Sequence, residues 1–83
     1  MSHDHRAQGS TDRLVAMAND IASYFQSEPE REAAIDGMAQ HLTRFWEPRM
    51  IRRIREHAAA GGAGLGELAL AAVERLPPPA QPA

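Results

Sequence analysis

The chain has 83 residues and a formal net charge of −2, which is one small domain at most. Its hydrophobic content of 43% includes sixteen alanines, which bury little surface, and it has no cysteine. A multidomain enzyme, a disulfide scaffold, a zinc finger and a strongly basic nucleic-acid coat are therefore excluded, and no apolar run approaches the roughly 20 residues of a membrane span.

Residues 1–10 (MSHDHRAQGS) show no hydrophobic periodicity and predict a disordered leader. The stretch through Asp12 is polar, so no signal peptide is expected and the chain reads as cytoplasmic. All nine cations are arginine, a bias that with abundant alanine suggests a GC-rich genome.

The first helix is expected from about Asp12 to Gln26. Leu14, Met17, Ala18, Ile21, Tyr24 and Phe25 fall on one apolar arc, with Asn19, Asp20 and Ser23 opposite. Ser27 and Glu30 have the spacing of a capping box, and Pro29 suits a first helical turn. The second helix then runs to about Trp46 on Ile35, Met38, Ala39, Leu42, Phe45 and Trp46, making a hairpin with the first. Gly37 falls on its polar side with no evident packing reason.

Pro48 predicts a restart, because it pushes Glu47 out of helical geometry and fits the first helical position. The third helix follows to about Ala60, with Met50, Ile51, Ile54 and Ala58 inward and Arg49, Arg52, Arg53 and Glu56 opposite. Gly61 to Gly66 form a glycine-rich connector suited to ending a helix. Leu68, Ala72, Val73 and Leu76 describe a short fourth helix with only Gly66 as a cap. A stiff proline-rich tail fills 77–83. The expected fold is all-α: a small bundle of three amphipathic helices plus a short C-terminal one, folding over residues 11–76.

Catalytic and cofactor chemistry find little support. His3 and His5 lack a third metal ligand, and His41 and His57 sit at the flanks of apolar arcs on different helices. Glu28, Glu30 and Glu32 are explained by the helix dipole. Gly61 to Gly66 lacks the lysine and hydroxyl of a phosphate loop, and no strand precedes it. No catalytic, cofactor-binding or metal-ligating residue is expected.

The segment Arg44 to His57 (RFWEPRMIRRIREH) is more informative, with five arginines against two glutamates in an otherwise acidic chain. It reads either as the solvated face of an amphipathic helix, with Arg52 and Glu56 spaced to pair, or as a short nucleic-acid site, or as a protein interface. Interfaces are enriched in arginine, tryptophan and methionine, which adjoin one another here. The core arithmetic favours that reading. Below roughly 70–80 residues one core rarely supplies more than about 3–5 kcal/mol, and docking on a larger partner supplies the rest. The expected interface residues are Phe45, Trp46, Pro48, Arg49, Met50, Arg52 and Arg53, with Trp46 and Arg49 as anchors.

Three blocks carry a resemblance: Leu14-Val15-Ala16-Met17-Ala18-Asn19-Asp20-Ile21, Phe45-Trp46-Glu47-Pro48-Arg49-Met50, and Gly61-Gly62-Ala63-Gly64-Leu65. In this order and spacing the chain resembles the delta subunit of NAD-dependent, molybdenum-containing formate dehydrogenases, from about Arg13 to Leu76. The resemblance implies a cofactor-free accessory subunit of a cytoplasmic bacterial complex. The alpha subunit of such a complex, the leading partner here, holds bis-molybdopterin guanine dinucleotide and iron–sulfur clusters and oxidises formate to carbon dioxide. The beta subunit reduces NAD at FMN, and a gamma subunit carries a further cluster. The delta subunit is expected to support assembly or stability of the active complex. The alternatives are a dissociable factor assisting molybdenum cofactor insertion, or an arginine-helix regulator that binds nucleic acid. The absence of cysteine agrees, since this chain can ligate no iron–sulfur cluster through thiolates.

Overall fold

The computed structural model describes residues 5–77. It contains four helices in chain order, α1 (His5–Phe25), α2 (Arg31–Phe45), α3 (Pro48–Ala59) and α4 (Glu67–Arg75), and no strand among the described residues. The fold is all-α, as the periodicity predicts. His3 and residues 78–83, most of the proline-rich tail, lie outside the described residues.

α1 is described from His5, seven residues ahead of the boundary expected at Asp12. Adding residues to a nucleated helix costs little, and no proline interrupts 5–12. The apolar arc is also rotated: Leu14, Ala18 and Ala22 are buried, Met17, Ile21 and Phe25 are half-buried, and Tyr24 is 76% exposed. Alanines on the buried line let the neighbouring helices approach closely.

The capping box does not form. Glu30 is the N-cap of α2 without a side-chain cap bond, while the Ser27 hydroxyl turns back to donate to the Tyr24 carbonyl at 3.3 Å. Pro29 thus precedes the helix instead of opening its first turn. Gly37 has the packing reason that its sequence position hides. A Cβ there would lie 2.8 Å from Phe25 Cε1, so the bare backbone makes room for the ring. That ring also stands edge-on to Tyr24 at 5.2 Å and to His41 at 6.2 Å between centroids. Gly37→Ala gains up to about 1 kcal/mol of helix propensity but displaces Phe25 from both neighbours. We expect its thermal melt to lie no higher than that of wild type; a melt several degrees higher would show that the ring moves freely.

The break between α2 and α3 follows the proline logic. Trp46 and Glu47 are extended (ψ 143° and 152°), and Pro48 opens α3. The Glu47 carbonyl accepts the Met50 and Ile51 amides at 2.9 and 3.1 Å, closing the first turn. α2 and α3 barely touch each other; each packs on α1 and on α4. The nine-residue α4 thus packs on every other helix, as α1 does, with Leu68, Ala69, Ala72 and Val73 buried. Its position is also held from outside. Arg75 bonds Asp36 and Glu32 on α2, each at 2.9 Å, and Arg31 pairs with Glu67. Hydrogen bonds first to Asp36 and then to Glu32 hold the Arg75 guanidinium above its ordinary pKa.

α3 ends in a Schellman motif. The Gly62 amide bonds the His57 carbonyl at 2.8 Å and the Gly61 amide bonds that of Ala58 at 3.1 Å. Gly61, Gly62 and Gly64 all have positive φ, so this connector needs glycine for its shape.

Candidate partner interface

The turn Phe45-Trp46-Glu47-Pro48-Arg49-Met50 sorts its side chains into two groups. Trp46 is 7% exposed and belongs to the core with Met38, Leu42 and Ile54. It therefore offers a partner almost no surface, and the anchor role expected of it does not fit this fold. Trp46 is the extended C-cap that ends α2, and its side chain is part of the buried core cluster. Phe45, one residue earlier and still helical, is the exposed aromatic at 67%. Arg44 lies over its ring, 6.0 Å from guanidinium carbon to centroid, within cation–π range.

Pro48, Arg49, Arg52 and Arg53 are exposed and Met50 is half-buried. Among the described residues the ion pairs involve only Arg31 and Arg75, so the arginines of α3 are unpaired and the expected Arg52–Glu56 pair is not made. Among the described residues this basic face has no internal partner.

Two features of this surface escaped the sequence reading. Arg13 and Met17 of α1 face Arg49, Met50 and Arg53 across an open cleft, with Leu14 completing the lining. The signal available was the four-residue spacing of Arg13 and Met17, which puts both on one face of α1. The second is an aromatic row along α1 and α2, Tyr24, Phe25, His41 and Phe45, with His41 and Phe45 4.8 Å apart between centroids. His41 and Phe45 are again four residues apart.

Two further polar side chains, His57 and Asn19, serve the fold. His57 Nε2–H donates to the Ala63 carbonyl at 2.7 Å. Asn19, placed on the solvent side by periodicity, holds the second half of the glycine connector: its Nδ2 donates to the Gly64 carbonyl and its Oδ1 accepts the Gly66 amide, each at 2.8 Å. Several connector amides are used internally: those of Gly61, Gly62 and Leu65 bond carbonyls at 2.8–3.1 Å, and that of Gly66 bonds Asn19. The loop is a chain reversal, built unlike a phosphate cradle. No group of three or more His, Asp or Glu suited to a metal occurs among the described residues, and no described helix is long and apolar enough to cross a membrane.

The three blocks of the resemblance thus acquire physical meaning. The first and third touch through Asn19 and the Gly64 carbonyl, and the middle one combines a core tryptophan with exposed Phe45 and Arg49. A family model described as the NADH-dependent formate dehydrogenase delta subunit FdsD matches residues 13–73, the span that contains all three. No curated protein and no solved structure matches the chain. With most of its length covered, the chain belongs to the formate dehydrogenase delta subunit family.

Proposed function

We propose that this chain is a non-catalytic subunit of a cytoplasmic, NAD-dependent, molybdenum-containing formate dehydrogenase, and that it docks on the catalytic alpha subunit and stabilises the assembled complex. It carries no cofactor of its own. The molybdopterin, iron–sulfur clusters, FMN and NAD site belong to the alpha, beta and gamma subunits. The observation that carries this reading is the exposed Phe45 beside the arginines of α3, which have no ion pair among the described residues, a surface with the residue types of an interface hot spot.

The test is retention in the complex co-expressed with the other subunits. Phe45→Ala and Arg49→Ala both alter exposed side chains and should leave the helical circular dichroism of the free chain intact. Each should weaken retention by about 30-fold or more, as hot-spot truncations of about 2 kcal/mol do. Wild-type retention of both variants in high salt would leave the basic face merely solvated. One copy per alpha subunit in the mature enzyme is the expected stoichiometry; loss of the chain on maturation would make it an assembly factor instead.

A further inference from the structure

The cleft between α1 and α3 has a volume of about 390 Å³. Its walls follow from helical spacing, since Arg13 and Met17 are four residues apart on α1 and Arg49 and Arg53 four apart on α3. Leu14 is buried at its base, and Met17 and Met50 are half-buried against the core. Three guanidinium groups therefore border an apolar floor. Among the described residues none of the three has an ion pair or a side-chain hydrogen bond. Like charges gathered this way repel one another, and an anion entering from outside relieves the repulsion.

We propose that this cleft binds an acidic segment of a partner protein, in which carboxylates flank an apolar side chain. The carboxylates meet Arg13, Arg49 and Arg53 in charge-assisted hydrogen bonds, and the apolar side chain rests on Met17 and Met50, whose unbranched thioethers adapt to its shape. The observations favour a peptide over a nucleic acid. The chain as a whole is acidic, which repels a long polyanion, and a phosphate backbone makes no use of the methionine and leucine floor. The proposal rests on the docking reading for the source of the segment, an exposed stretch of a larger subunit. It adds Arg13, outside the basic run, as a ligand on the opposite wall.

The absence of lysine from the chain makes the test specific. Arg13→Lys and Arg53→Lys each install the single side-chain amine while keeping the charge, and a zero-length carbodiimide joins that amine only to a carboxylate in contact. In the co-expressed complex both variants should couple to aspartates or glutamates of one continuous partner segment that carries an apolar residue between them. Arg44→Lys, outside the cleft, should not reach that segment. The double variant Arg13→Glu/Arg53→Glu should lose retention by about 30-fold or more with its circular dichroism unchanged. If the chain stays in the complex but neither cleft lysine couples and the reversed variant is retained, the cleft proposal is overturned and the docking reading survives. If the wild-type chain is absent from the complex, both fall. Salt-dependent binding of the free chain to random duplex DNA, abolished by the double reversal, would overturn the peptide in favour of a polyanion.

Discussion

Trp46→Ala is expected to leave the isolated chain largely unfolded at 25 °C. The side chain is 7% exposed and sits in a core whose largest fully buried members among the described residues are Ile35, Met38, Leu42, Ile54 and Val73. Truncating a buried tryptophan costs about 3–5 kcal/mol, and a core of this size supplies about that much in total. The far-ultraviolet spectrum of the variant should therefore lose most of its helical signal, whereas Phe45→Ala, next to it in sequence, should melt close to wild type. The contrast separates the two aromatics by role. Retention of a Trp46 variant in the complex reports folding first, so the interface is properly probed at Phe45 and Arg49. A cooperative Trp46→Ala melt within a few degrees of wild type would place the indole outside the core.

α3 is the helix most legible in the sequence because it carries its own punctuation at both ends. Pro48 fixes the start of α3 through its missing amide and its effect on Glu47, and the run of glycines fixes its end. Periodicity also identified most of the core of α2, α3 and α4. It was less exact for α1, where alanines carry much of the buried line and a pattern drawn from larger side chains pointed toward Tyr24. The roles of Asn19, Gly37 and Arg13 depend on which helices become neighbours, and local spacing holds no record of that. Asn19 reaches residues 45 and 47 positions away. Phe25 fills the space above Gly37 from another helix. The capping box failed for a related reason: Ser27 has a local alternative in the Tyr24 carbonyl, and short polar side chains commonly take such competing bonds.

The family blocks therefore mix two kinds of constraint. Asn19, Trp46, Pro48 and the glycines hold the backbone and core, so they identify the fold. Phe45 is exposed and meets only His41 and Arg44 at the surface, and Arg49 makes no ion pair among the described residues, so neither is needed to hold the core. The surface on offer combines a bulky aromatic with unpaired arginines on a short helix that α4 holds in place.

Gly62→Val should be the most damaging change in the connector, lowering stability by about 2–4 kcal/mol. Gly62 is buried with φ +64°, a conformation that costs an ordinary residue roughly 1–2 kcal/mol. Its amide completes the Schellman motif at the His57 carbonyl, and its own carbonyl accepts the Leu65 amide at 2.9 Å, so the backbone cannot rotate away without losing both bonds. A Cβ there would come within 2.8 Å of Leu70 Cδ1, and overpacking of this kind typically adds about 1–3 kcal/mol. Leu70 lies on α4 and is partly buried against the core, so its methyl group has to shift to admit the new side chain. The single tryptophan, buried in the wild type, reports the loss as a red shift and an earlier denaturant midpoint. Two comparisons separate backbone from packing. Gly61→Ala strains φ alone, since nothing lies within 4 Å of its Cβ position. Gly62→Ala made in a Leu70→Ala background should cost less than in wild type, because the obstructing methyl is gone, and the difference measures the coupling. Equal costs in the two backgrounds would show that the clash with Leu70 plays no part and that the left-handed backbone accounts for the whole effect.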